Sequence, residues 1–334
     1  MPEWPLGVKW LVDCDLNKNV TFFLTGSSTI QLKKSGEYLP GRRGSGRDIT
    51  LAPLDFMEFL KLFQIKISNW NLKTSFPDLK NYYQNLQVSW PGLKEKMDLY
   101  FLSGGFPKII NELYTKKVLS LETVNLYQDW FKSEAAKNSK QKPLIRQIIE
   151  KVFISLTMSL SYQALSEYAA LGSHNTAKDY LSFLKESFFV FPISYFDINQ
   201  KRLLWRKNKK YYFYDSFIFW LLRSLIFGND NLEALARDFL SNAEDSGKFI
   251  ENVVASELVK KGREPYYYQN QKEIDFVLPK YDLGIEIKWR PKITKSDFKQ
   301  LFKVKNGLVV SQNDFYEEQN VKVVPLELFL LAEF

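Results

Sequence analysis

Asp275, Glu286 and Lys288 are the residues of this chain whose types and spacing suit chemistry most directly. In "EIDFVLPKYDLGIEIKWR" two apolar runs flank a turn at "PKYDLG" and read as neighbouring strands. Glu286 and Lys288, two apart on one strand, point to the same face, and Asp275 reaches that place across the hairpin. Just upstream, "SGKFIENVVASELVKKG" reads as an amphipathic helix, with Phe249, Ile250, Val253, Val254 and Leu258 on one side and Gly262 ending it. Its Glu251 supplies a further carboxylate. Asp275 and Glu286, with a backbone carbonyl such as that of Ile287, can hold Mg2+, which prefers hard oxygen ligands. Such an ion polarises a scissile phosphate and helps ionise an attacking water, while a lysine at 288 positions that water or neutralises transition-state charge. The same residues also suit a structural ion-pair cluster.

Composition removes most alternatives. One cysteine, Cys14, excludes intramolecular disulfides and multi-cysteine zinc sites, so a reducing, cytoplasmic setting is expected. One histidine, His174, removes most chemistry that leans on imidazole. The longest apolar stretch, "FIFWLLRSLIF", contains Arg223 and falls far short of the roughly 20 residues of a membrane span. No secretory leader is visible at the start, so no membrane partner is expected. With 334 residues, of which 45% are hydrophobic and 16% aromatic, the chain can form several domains with heavily packed interiors.

The elements that must position these residues fall into four blocks: 1–65, 66–140, 141–228 and 229–334. The first alternates in α/β style, with a helix in "PLGVKWLVD", a buried strand at 20–24, a second strand near "ITLAPL" and the helix "LDFMEFLKLF". The second is a helical connector broken at Gly104-Gly105 and Pro107. In the third, "PLIRQIIEKVFISL", "SYQALSEYAAL" and "GSHNTAKDYLSFLKESF" give three helices with a helix-turn-helix rhythm. "FVFPISYF" and "KYYFYD" follow as strands around a basic tip, which completes a winged helix.

Net charge is +8, and its distribution carries more meaning than its size. Six lysines and arginines fall between Lys201 and Lys210 with no acid among them. Candidate DNA contacts are Ser173, His174, Asn175, Thr176 and Lys178 at the third helix, with Arg202, Arg206, Lys207, Lys209 and Lys210 on the wing. Ser173 to Thr176 also suit a helix cap, and a winged helix also serves protein contacts.

The order acid, gap, acid-x-lysine at Asp275, Glu286 and Lys288 is similar to the PD-(D/E)XK nuclease signature. The whole chain resembles the archaeal and bacterial AAA-type ATPases that carry a P-loop module, a winged helix and a C-terminal restriction-endonuclease-like domain. The resemblance rests on "FFLTGSS", "LPGRRG", "ITLAPLDFMEFL", "YFLSGGFPKIINEL", the winged-helix segment, "GKFIENVVASEL", "EIDFVLP" and "IEIKW". It implies an α/β multidomain fold: a partial P-loop ATPase remnant, a helical connector, a winged helix and a nuclease-like α/β domain. It also implies that Thr25, Ser27 and Ser28 belong to a sensor strand beside the γ-phosphate, and that Arg42 or Arg43 stabilises transferred charge in a neighbouring nucleotide site.

The chain departs from that pattern in one respect. No GxxxxGK[ST] run occurs in it, and no apolar strand ending in Asp-Glu precedes residue 20. The expectation is a chain that starts after both elements, with a sheet missing about three strands and open edges. Residues 1 to 60 should then be poorly buried, and the chain alone should not bind or hydrolyse ATP, a cofactor of the full-length family. The reading is a nucleic-acid-associated protein, with DNA and an upstream ATPase fragment or a second copy as partners. A stand-alone Mg2+-dependent endonuclease and a non-catalytic DNA- or protein-binding module are the alternatives.

Overall fold

The structure, a computed structural model, describes residues 4–14, 20, 23–26 and 49–334. Helix α1 (Trp4–Asp13) leaves Leu6, Trp10 and Leu11 exposed. Helix α2 (Phe56–Leu62) starts in a capping box, in which Asp55 accepts from the Glu58 amide and Glu58 from the Asp55 amide. A two-residue strand β1 (Trp70–Asn71) precedes α3 (Phe76–Ser89), which Ser75 caps. Helices α4 (Leu93–Ser103) and α5 (Pro107–Lys116) are separated by Gly104 at φ +53°, and α6 (Leu121–Lys137) follows a Ser120 cap.

Three further helices come next: α7 (Lys142–Ile154), α8 (Tyr162–Tyr168) and α9 (His174–Glu186). Their chain then forms β2 (Val190–Ile193), β3 (Phe196–Asp197), β4 (Arg202–Leu203) and β5 (Lys210–Phe213). Strand β2 pairs antiparallel with β5, and β3 with β4, so the basic stretch is a small hairpin carried between two longer strands. Helices α10 (Ser216–Phe227), α11 (Leu232–Ser241) and α12 (Ala243–Lys260) begin at Asp215, Asn231 and Asn242, each with its side chain on helix amides.

Beyond α12 the chain builds the main sheet from β6 (Tyr266–Gln269), β7 (Glu273–Leu278), β8 (Leu283–Lys288), β9 (Asn306–Ser311), β10 (Tyr316–Glu318) and β11 (Val321–Pro325). The order across the sheet is β10-β11-β9-β8-β7-β6. Strands β6, β7 and β8 form an antiparallel meander, whereas β8, β9 and β11 are parallel. The crossover from β8 to β9 uses only short 3-10 turns at Lys295–Asp297 and Lys299–Lys303. Helix α13 (Leu326–Leu330) and β12 (Ala332–Glu333) end the chain, and β12 pairs with β1 in parallel. One contiguous core links α2 to β12.

Two expected elements of the N-terminal block differ. Val20, Phe23 and Leu24, expected in a buried strand, lie outside regular structure and are exposed; no described strand pairs with them, and an unpaired ladder has nothing to bury against. The expected strand near "ITLAPL" is also irregular: Ile49 and Leu51 are exposed, and Leu54 donates to the Gly105 carbonyl at 2.9 Å. Burial begins at Phe56, Phe59 and Leu60.

Candidate active site

Helix α12 is mostly buried, yet its inward face carries polar residues with assigned partners. Asn252 pairs with the backbone of Phe213, accepting its amide at 2.7 Å and donating to its carbonyl at 3.3 Å, as another strand would. Ser256 donates to the Tyr214 carbonyl at 2.8 Å. Glu251 accepts from the Tyr212 hydroxyl at 2.6 Å and pairs with Lys210 at 3.4 Å. These contacts fix the helix along β5 and aim Glu251 at the sheet.

On the sheet, Phe276 pairs with Ile285 and Val277 with Gly284, so continuing the register sets Asp275 opposite Glu286. The Asp275 carboxylate accepts the Ile287 amide at 2.7 Å, which holds it over the end of β8. Glu286 is ion-paired with Lys288, and Lys210 with Glu273. Asp275, Glu286, Lys288 and Glu251 are therefore brought into one neighbourhood. Lys210, Tyr212 and Glu273 join them.

Four carboxyl groups share this neighbourhood with two ammonium groups, and the imbalance is visible in their acidities. Burial, then the facing Asp275, pushes the Glu286 carboxyl up to about 8, against the pull of Lys288. Burial pushes Glu251 up to about 7, with Lys210 opposing and Asp275 and Glu273 adding to the rise. Burial alone would depress both lysines, but Glu251, Asp275 and Glu273 together hold Lys210 above its ordinary value, and Asp275 and Glu286 do the same for Lys288.

Among the described residues no three His, Cys, Asp or Glu side chains converge closely enough to hold a metal ion. Asp275 and Glu286 remain as two hard-oxygen donors. Mg2+ keeps several waters of its own and needs only one or two carboxylates, so the donor types fit it once Glu286 gives up its proton.

A second buried charged cluster lies at the other end of α12. Lys260 donates to Asp215 at 2.6 Å and to the Tyr100 hydroxyl at 2.9 Å. Asp215 also accepts the Gly105 amide at 2.9 Å and the Phe217 amide at 2.7 Å. Tyr100 bonds to Glu257, and Glu257 accepts the Phe56 amide at 3.0 Å. A Cβ on Gly104 would stand 1.7 Å from an Asp215 oxygen, and one on Gly105 would stand 2.1 Å from the Leu54 carbonyl. The double glycine admits this contact and nothing larger.

The remaining candidates separate. Ser173 caps α9, accepting from the Thr176 amide at 3.4 Å, while His174, Asn175 and Lys178 are exposed on its first turns and Thr176 is half-buried. Arg202, Arg206 and Lys207 are exposed and Lys209 is half-buried. Lys210 does not belong to this surface: it is 1% exposed and turned inward to Glu251 and Glu273, because β5 packs against α12. Thr25 is exposed; Ser27, Ser28, Arg42 and Arg43 lie outside the described residues. Sequence reasoning did not connect Lys210, Tyr212 and Glu273 to the carboxylates. Strict alternation across "KYYFYD", which puts Lys210 and Tyr212 on one face, was the available signal.

Three family models match the chain. An AAA domain matches residues 1–60, a domain of unknown function, DUF8612, matches 94–227, and another, DUF4143, matches 246–329. No curated protein and no solved structure matches. The fold is mixed α/β, and the matches at the two ends support an AAA-type ATPase-like family. Among the described residues no helix is long and apolar enough to cross a membrane.

Proposed function

We propose that this chain is a nucleic-acid-associated protein of that family, with a DNA-binding winged helix at α7–β5 and a Mg2+-dependent, nuclease-like site at Asp275, Glu286 and Lys288. The observation that carries the reading is the convergence of these three side chains with Glu251 on a helix and three-strand meander, beside a basic hairpin and the strand β5 that supplies Lys210. Asp275 and Glu286, with the Ile287 carbonyl, would hold the ion, which supplies polarisation of a phosphate and a more acidic bound water. Lys288 would orient the attacking water and balance charge growing on the phosphate oxygens. Lys210 fixes Glu251 and Glu273 and keeps surplus negative charge from repelling the substrate. With no GxxxxGK[ST] run in its sequence, the chain is not expected to hydrolyse ATP by itself.

The test is Mg2+-dependent cleavage of branched and linear DNA by wild type, Lys288→Ala and Asp275→Ala. Wild type should cleave, and both variants should be slower by at least about 100-fold. Absence of cleavage by wild type on every substrate discards the nuclease reading. Saturable micromolar ATP binding by the chain alone would overturn the ATPase part.

A second reading is a non-catalytic DNA- or protein-binding module. The ion pair of Glu286 with Lys288 favours it, because a carboxyl that retains its proton beside an ammonium is a poor ligand. DNA binding that weakens steeply with salt, without cleavage, would support it.

A further inference from the structure

Trp205 is 72% exposed, in a turn closed by the Lys207 amide on the Leu204 carbonyl at 3.0 Å. Its neighbours Leu203 and Leu204 are half-buried, so the indole is not the rim of the core but a ring presented to solvent. Arg206 and Lys207 beside it are exposed, as is Arg202 on β4. The turn is also held in place. The Leu204 amide donates to the Tyr195 carbonyl at 3.3 Å, the Phe196 and Tyr266 rings pack at 5.9 Å, and Asn199 donates to the Tyr268 hydroxyl at 3.1 Å. These contacts tie the hairpin to β6, the edge strand of the sheet that carries Asp275 and Glu286.

A large aromatic face set among cations suits a ligand that offers both a π-surface and regular negative charge. Unpaired nucleotides offer both; a duplex stacks its bases against each other and shows the tip only phosphates. A groove lined by Ser161, Tyr162, Glu167, His174 and Asn208 lies between the start of α9 and the residue that follows Lys207. We propose that Trp205, with Arg206 and Lys207, is a stacking site for an unpaired base, so that single-stranded or frayed DNA is what the hairpin brings to the carboxylate site. The inference rests on the DNA-binding reading above.

The test measures binding of the full chain to fluorescein-labelled dT20 and to a 20-base-pair duplex. Trp205→Ala should weaken dT20 binding by at least about tenfold and duplex binding by less than about twofold, and Trp205→Phe should keep most dT20 affinity. Arg206→Ala/Lys207→Ala should weaken both probes and flatten the salt dependence by about two counterions. Duplex binding with dT20 affinity indifferent to Trp205→Ala overturns the stacking site alone. Binding of neither probe overturns it together with the DNA-binding reading, and equal loss on both probes from Trp205→Ala makes Trp205 a general contact and rejects the stacking role.

Discussion

Helix α12 carries two buried charged clusters, one near Glu251 and one near Glu257, and they solve the same problem differently. Around Asp215, Glu257 and Lys260 two carboxyl groups share one ammonium, but the backbone amides of Gly105, Phe217 and Phe56 take up carboxylate lone pairs. Around Asp275 and Glu286 four carboxyl groups share two ammonium groups, Glu251 and Glu286 hold their protons more tightly than free carboxyls do, and Lys288 and Glu273 keep about a quarter of their side chains exposed, 25% and 29%. A buried charge that serves the fold is closed by its neighbours. One that is open on one side leaves room for a ligand.

The largest effect should come from breaking the closed cluster. Asp215→Ala leaves Lys260 buried without its closest partner and frees two helix and loop amides, and should cost about 3–5 kcal/mol in urea unfolding. A loss under about 1 kcal/mol would show that this cluster is not the stronger of the two. Gly104→Ala should follow, by several kcal/mol at most, since it combines a clash with Asp215 and a left-handed backbone. Retention of wild-type stability there would mean that the α4–α5 turn can open without disturbing Asp215.

The open cluster should instead respond to pH. Glu251 holds its proton in the folded chain up to about pH 7, against an ordinary value of 4.5, so the folded state binds more protons than the unfolded state in that interval. Stability contributed by this group is complete below pH 4.5 and declines as pH rises to about 7, by up to roughly 3 kcal/mol. Glu286 acts in the same direction toward pH 8. Chemical unfolding from pH 4.5 to 8 should therefore show a decline that Glu251→Gln reduces; an unchanged slope would refute the charge surplus. The smallest effect is expected for Lys288→Met, within about 1 kcal/mol at pH 6, because Glu286 can keep its proton when the lysine is gone. A large loss would place Lys288 among the closed pairs.

Much of the site was legible because strands have a period of two: Glu286 and Lys288 share a face, and Asp275 meets them through a short turn. The helices of the middle blocks were legible from their apolar spacing, from the capping run at Ser173 to Thr176 and from the Gly104 break. Lys210 was misplaced because a run of basic residues reads as one surface, whereas a strand turns alternate side chains inward, and only packing against α12 reveals which. The role of "LSGGF" was also hidden. Its glycines face Asp215 and Leu54, more than a hundred and about fifty residues away in sequence, and no local pattern announces a contact of that range.

The polar ladder along α12 has a further consequence. Glu251 and Glu257 stand six residues apart, about 9 Å of helix rise, on a single rigid rod with Asn252 and Ser256 between them clamped to the backbone of Phe213 and Tyr214. The segment at Leu54 to Phe56 grips one end of this rod, and Lys210 and Tyr212 of β5 grip the other. Fraying at either grip should therefore be shared along its length, and the amides of residues 251 to 257 should exchange with solvent as a single cooperative block.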